Sequence, residues 1–278
     1  MLNNYITNII GKRHVAGPYL YNAEKICQWA SVNGCATTIS VWTHPHENKK
    51  SVAEKYINII NSISYKGFDS YLSIKPSALQ FDLDLFESIA REASDNKIRI
   101  HFDSLSPDLA GRSLQYFKQV KTIYNNVGYT LPARWLRSLK DAEEIVNLNV
   151  PVRIVKGQWQ DPLNFKINIE ENFLKIIEML INKSSLIAIA THDLHLAKQS
   201  VELLNDAKVN FELEQFFSLP MIGDKLQKDI AVKVRLYVAY GQPYLPYNLK
   251  AVAERPAMIN WFVRDLFNLK RRFDLKTS

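Results

Sequence analysis

An α/β fold, specifically a (β/α)8 TIM-type barrel in a single domain, is what the sequence predicts, and three observations carry that prediction. Short β-branched and apolar runs recur eight times, and helix-length amphipathic segments separate them. No glycine-rich GxGxxG follows the first run, as a doubly wound nucleotide-binding sheet would require. At 47% hydrophobic and 23% charged over 278 residues, the chain has the apolar mass for a sizeable core. The expected organisation is a helical lead-in over residues 1–35 and the barrel over residues 36–278.

The runs, in order, are TTISVW (37–42), SYLSIK (70–75), KIRIHF (97–102), VGYTL (127–131), VPVRIV (150–155), LIAIAT (186–191), VNFELE (209–214) and VRLYVAY (234–240). Most are continuous apolar stretches, as expected of parallel strands buried on both faces. Each is followed by a segment with helical periodicity. SVAEKYINIINSI places Val52, Tyr56, Ile57, Ile59 and Ile60 along one face, and FKINIEENFLKIIEMLI and DLHLAKQSVELLNDA repeat that spacing. Ser138, ahead of LKDAEEIV, is the expected cap of another helix.

Composition excludes several function classes. No run of about 18 apolar residues exists to span a membrane. The start, MLNNYITNIIGKRH, lacks the basic, apolar and small-residue succession of a secretory signal, so a cytoplasmic protein is expected. Cys27 and Cys35 are the sole cysteines and form no CxxC, which argues against a zinc or iron–sulfur site. The net charge of +7 comes from scattered lysines, and nothing resembles a nucleic-acid module. One dense basic patch, LKRRFDLK (269–276), ends the segment NWFVRDLFNLKRRF. That segment reads first as a helix packed on its own domain. Its basic end is also compatible with peripheral contact at the inner membrane face.

In a barrel of this kind chemistry sits at the C-terminal ends of the strands. There the sequence offers His44 and His46, Lys75, His101 and Asp103, Arg153, Lys156 and Trp159, Thr191 and His192, Glu214, and Tyr237. Two chemistries compete for this set. WTHPH and THDLH hold imidazoles as metal-dependent hydrolases do. Strand 8 offers no carboxylate and strand 4 no ligand, so His44 and His46 read as solvated loop residues and no metal site is expected.

The segments YLSIKPSAL, VRIVKGQW, IATHD, FELEQFFSLP and VRLYVAYG, followed by PYNLKAVAERP, occur in the order and spacing of the proline dehydrogenases, and over roughly residues 35–260 the chain resembles that family. The resemblance implies FAD as cofactor and hydride transfer to flavin N5 from the carbon beside a ring nitrogen, giving a pyrroline-type imine. By the same resemblance Lys75 lies near the substrate carboxylate, and Arg153 lies beside the flavin ring, where a cation would stabilise the reduced cofactor. Val155, Lys156 and Gly157 on strand 5, and Ala190, Thr191 and His192 on strand 6, would hold the cofactor together with Glu254. Tyr237, Tyr247, Lys250 and His101 would face the substrate. Family enzymes pass electrons to quinones at a membrane, which makes a quinone the implied acceptor.

Departures from the family pattern concentrate on the substrate side. Where the family carries two consecutive arginines on its last helix, this chain has Lys250 and Ala251. Lysine cannot form the planar two-point contact of arginine, and alanine forms none. Losing a charge-assisted bond costs about 1.5–3 kcal/mol, roughly one to two decades in affinity. The family's strand-3 aspartate aligns with His101, with Asp103 two residues on along the same strand face. Its strand-4 Gln-Ala-Tyr becomes Pro132, Ala133 and Arg134, and its strand-7 glutamine becomes Glu214. Arg134, Lys250 and Lys75 are the expected components of a displaced carboxylate site. The substrate is accordingly read as L-proline or a closely related proline derivative. Two alternatives stand beside it: a modified cyclic amine in specialised biosynthesis, and a barrel without catalysis.

Overall fold

Parallel strands need crossovers, and the amphipathic segments between the runs supply them. The computed structural model describes residues 15–44, 46–163, 166–223 and 232–242. Within them lie strands β1 (Ala36–Trp42), β2 (Ser70–Ile74), β3 (Ile100–Phe102), β4 (Val127–Pro132), β5 (Pro151–Val155), β6 (Leu186–Ala190), β7 (Phe211–Phe216) and β8 (Val234–Gly241). They pair in chain order, all parallel, and β8 pairs back onto β1 to close the barrel. The described helices are α1 (Leu20–Val32), α2 (Lys49–Lys66), α3 (Leu83–Asp95), α4 (Pro107–Ile123), α5 (Arg137–Ile145), α6 (Ile169–Leu180) and α7 (Leu194–Asp206). Helix α1 precedes the barrel, and α2 to α7 follow β1 to β6 in turn. The segments expected to be helical after β7 and β8 lie outside the described residues, and so does the basic patch 269–276.

Local signals explain most helix ends. Asn48, Asp82, Asn168 and Asp193 each accept a backbone N–H of the first turn, starting α2, α3, α6 and α7. Gly67, at φ 65°, ends α2 in the left-handed conformation that glycine adopts without penalty.

Three expectations shift. Ser138 does not cap α5. It lies inside the first turn, and its buried hydroxyl donates to the carbonyl of Pro132 at 2.7 Å, tying the helix to the end of β4. Strand β3 begins three residues later than the apolar run, because Lys97 takes a left-handed φ of 57° and its N–H bonds back to Ser94. Strand β7 begins two residues late, because the N–H of Val209 still bonds Leu204 at the end of α7.

Alternation along the strands separates two environments. One set of strand side chains, including Ile39, Val41, Leu72, Ile74, Phe102, Leu131, Ile154, Ile189, Leu213 and Val238, joins the helices in one apolar cluster. The opposite set fills the barrel, and it is polar. Near the N-terminal ends of the strands Arg235 donates to Glu212 at 2.8 Å and to the carbonyl of Thr37 at 2.6 Å. Arg99 approaches the same Glu212 carboxylate at 3.7 Å. Both guanidiniums stack against the Tyr71 ring, at 3.7 and 4.6 Å from its centroid. Glu212 is 1% exposed, so its charge depends on these partners. Replacing Arg235 with methionine leaves that carboxylate with Arg99 alone. Such a change is expected to lower unfolding stability by about 3–5 kcal/mol, read as a fall in the urea midpoint; an unchanged midpoint would refute this account of the barrel floor.

Candidate active site

Strands carrying polar residues two apart aim them along one line into the barrel. Tyr71 and Ser73 continue to Lys75 on the β2 line, and His101 continues to Asp103 on the β3 line. Strand β4 contributes Thr130, β5 Arg153, β7 Glu214 and β8 Tyr237. The register pairs Thr130 with Arg153 and Phe216 with Tyr237 across adjacent strands.

Arg153, 2% exposed, collects five of these groups. Its Nη1 donates to Glu214 Oε1 at 2.9 Å, and its Nη2 pairs with Asp103. Nε and Nη2 share Thr130 Oγ1 at 3.2 and 3.1 Å, and Nη2 also reaches Ser73 Oγ at 3.2 Å. The guanidinium carbon stands 5.2 Å from the Tyr237 ring centroid. Burial by itself would lower the arginine pKa, but the charges of Glu214 and Asp103 outweigh it and raise the value further. The cation is permanent.

The two carboxylates are themselves held from other strands. Asp103 accepts from Tyr237 at 2.7 Å through one oxygen and from Ser73 at 2.7 Å through the other. Glu214 Oε2 accepts the Tyr71 hydroxyl at 2.9 Å. Burial first, and then the charge of Asp103, hold the Tyr237 phenol well above its ordinary pKa, so it remains a donor.

Lys75 closes the group on the β1–β2 side. Its ammonium donates to Ser40 Oγ and to the carbonyl of Val41, both at 3.2 Å, and among the described residues no carboxylate forms a salt bridge with it. Burial draws its pKa below the usual lysine value, Asp103 acts in the opposite direction, and Arg153 adds to the lowering. A cation held by neutral acceptors near the mouth is suited to an incoming anion.

Asp103 is a carboxylate in contact with both Arg153 and Tyr237. His101 sits against Thr130, its Nε2 3.1 Å from the hydroxyl oxygen. Since that oxygen accepts from Arg153, its proton is free to point at Nε2, which puts the ring proton on Nδ1, where the Tyr129 backbone is the nearby hydrogen-bonding group. Burial, reinforced by Arg153, Arg99 and Arg235, holds the His101 pKa well below normal, and the ring is neutral.

Around the mouth the β4, β5, β6 and β7 loops are tied together. Arg134 donates Nε to the carbonyl of Gly157 at 2.9 Å and reaches Gln160 at 3.4 Å, so this guanidinium holds the β5 loop. Trp135 Nε1 donates to the carbonyl of Trp159 at 2.8 Å, and Asp161 accepts the N–H of Leu136 at 2.8 Å. Gly157 has φ 85°, and a Cβ there would stand 2.9 Å from that of Pro132, so only glycine fits. Lys156 pairs with Asp193 at 2.7 Å, linking the end of β5 to the first turn of α7. His192 accepts the N–H of Phe216 at 2.9 Å through Nε2, which leaves Nδ1 to donate to the carbonyl of Pro220 at 3.1 Å. Thr191 is buried, and its hydroxyl accepts the N–H of Asp193 at 3.1 Å. Val155 and Ala190 are register partners, both half-buried at the ends of β5 and β6.

Thus Lys75, Asp103, Arg153 and Tyr237 converge, and Val155, Lys156, Gly157, Ala190, Thr191 and His192 form an adjoining rim. Tyr247, Lys250, Ala251 and Glu254 lie outside the described residues. Ser40, Ser73, Tyr71 and Thr130 were not singled out in the sequence, although the two-residue steps from Lys75 back to Ser73 and Tyr71 are the signal that places those two inside. His44 and His46 are exposed, and among the described residues no group of three metal-ligating side chains gathers.

No family model matches the sequence. The chain is 26% identical over 275 residues to proline dehydrogenase 2 of Bacillus subtilis strain 168, covering 93% of this chain and 91% of the relative. It is 24% identical over 269 residues to proline dehydrogenase 1 of Bacillus subtilis subsp. natto, covering 91% and 89%. Over 271 residues it is 24% identical to a proline dehydrogenase of Deinococcus radiodurans, covering 89% and 86%. Among solved structures, proline utilization A of Bdellovibrio bacteriovorus inactivated by N-propargylglycine superposes with a TM-score of 0.75 at 15% identity, covering 97% of this chain. Its counterpart from Corynebacterium freiburgense gives 0.69 at 14% identity, covering 96%. These two share the fold, and this chain spans only 34% and 32% of their lengths. With near-complete coverage of both partners in the sequence comparisons, the chain is similar over nearly its whole length to the proline dehydrogenases.

Proposed function

We propose that this chain is an FAD-dependent dehydrogenase that oxidises L-proline, or a closely related proline derivative, at the carbon next to the ring nitrogen. The observation that carries the reading is the buried Arg153 group with Lys75 beside it, at the end of the barrel where this architecture places its chemistry.

The residues present suit a flat cofactor carrying phosphates. Val155 and Ala190 offer small, half-buried side chains, Gly157 a backbone with no Cβ, and Lys156 a cation. Arg153, Thr191 and His192, with Glu254 from the undescribed segment, complete the set that would hold it. When bound, the flavin supplies a two-electron acceptor at N5.

The chain's own residues then have separable tasks. Lys75 binds the substrate carboxylate and orients the ring. Tyr237, fixed by its bond to Asp103 and by stacking on Phe216 at 5.2 Å, forms a rigid wall. Arg153 supplies positive charge where negative charge accumulates. In the substrate the carbon gives up its hydrogen with the bonding pair, the nitrogen lone pair forms the C=N bond, and the nitrogen proton leaves. Lys250 and Ala251, in place of two arginines, favour a substrate whose carboxylate is modified or differently placed. The same reading takes a quinone as electron acceptor for a cytoplasmic protein, with the patch 269–276 touching the inner membrane face. Among the described residues no helix is long and apolar enough to cross a membrane.

The deciding experiment is the visible absorption spectrum of the purified protein before and after anaerobic addition of L-proline. An oxidised-flavin spectrum that bleaches is the expected result. Flavin that stays oxidised would exclude proline and direct the search to its derivatives, and a protein that takes up no added FAD would overturn the proposal. Lys75→Met should raise KM by about one to two decades, the worth of one charge-assisted bond. The lowered pKa of Lys75 sets the sign of the pH effect. As pH rises the ammonium is lost earlier than an ordinary lysine would lose it, so KM climbs on the alkaline side. The methionine variant should lack that climb; finding it intact there would remove Lys75 from substrate binding.

A further inference from the structure

One guanidinium neutralises one carboxylate, yet Arg153 holds two. Glu214 and Asp103 have side-chain exposures of 1% and 12%, and each engages a different Nη of Arg153. The three groups together carry a net charge of −1. Glu214 gains a further donor from Tyr71 at 2.9 Å, whose ring lies against Arg99 and Arg235. Buried charges of this kind are little screened by salt. Glu214 is buried between Arg153 and Tyr71, and it acts through the groups it touches.

We propose that Glu214 is a positioning residue that sets the net charge at Arg153, and so holds the midpoint potential of the bound flavin below the value that Arg153 and Asp103 alone would give. This rests on the flavin reading of the site. Reduction adds negative charge to the cofactor, and a fixed negative charge behind Arg153 opposes it. With Glu214 neutral, the arginine and Asp103 cancel, and more of the pull of Lys75 and Lys156 reaches the cofactor. The chain then becomes a stronger acceptor of hydride.

The test is the flavin midpoint potential of the holoprotein, measured by anaerobic equilibration with a reference dye, in the wild type and in Glu214→Gln. Glutamine has the same shape and can keep both hydrogen bonds, its carbonyl oxygen towards Arg153 and its amide N–H towards the Tyr71 oxygen. A more positive potential is expected, with the reduction equilibrium changed by about tenfold or more, which is about 30 mV for a two-electron couple. A folded, flavin-loaded variant with an unchanged or more negative potential overturns the proposal. Should the glutamine variant not accumulate, Glu214→Leu carries the test: it removes the same charge in a side chain of similar size, the potential should again be more positive, and no rise overturns the proposal. Wild-type protein that binds no FAD overturns the flavin reading and this inference with it, and it does so before any variant is made, so the two failures are distinguishable.

Discussion

Much of this molecule depends on one constraint, the burial of the Arg153 guanidinium. An arginine removed from water is tolerable only when its donors are met and its charge is balanced. Meeting them here takes Ser73 from β2, Asp103 beyond β3, Thr130 from β4 and Glu214 from β7. Those acceptors are then held by Tyr71 and Tyr237. Strands far apart in sequence are therefore fixed to one another through a polar hub, while the apolar cluster between strands and helices supplies the bulk of the burial. Stability and chemistry occupy opposite faces of the same strands.

That division explains which parts were legible in the sequence. The barrel was legible because the outward face of each strand is apolar and the intervening segments keep a helical period. Boundaries were less so where local chemistry intervened. Ser138 looks like a cap, yet a buried carbonyl at the end of β4 is its better partner. Val209 extends the apolar run of β7, yet its N–H belongs to the preceding helix. Neither preference is visible without knowing which groups lie across space.

The site was legible in its charged members. Lys75, Arg153 and Tyr237 stand out because a charge or a phenol within or just after an apolar run is unusual. Ser40, Ser73 and Thr130 do not, since small hydroxyls are common in strands. Arg134 has a use that no sequence signal announces: its Nε holds the carbonyl of Gly157 in the neighbouring loop. His192 and Lys156 likewise hold loops as well as facing the rim. Residues that shape the mouth and residues that would contact a ligand have the same composition, and only spatial arrangement separates them.

The seam between β1 and β8 has a consequence for how the chain acquires its fold. Arg235 reaches the carbonyl of Thr37 across 198 residues of sequence, and Tyr237 reaches Asp103 across 134. Until β8 arrives, Glu212 lacks its main cation and Asp103 lacks its phenol. Joining such distant segments is slow, because chain entropy must be surrendered before the contact rewards it. A chain holding only the first seven strands would leave Glu212 with Arg99 and Asp103 with Arg153 and Ser73, each short of one partner. Closing the ring thus completes the polar interior in the same step that completes the sheet.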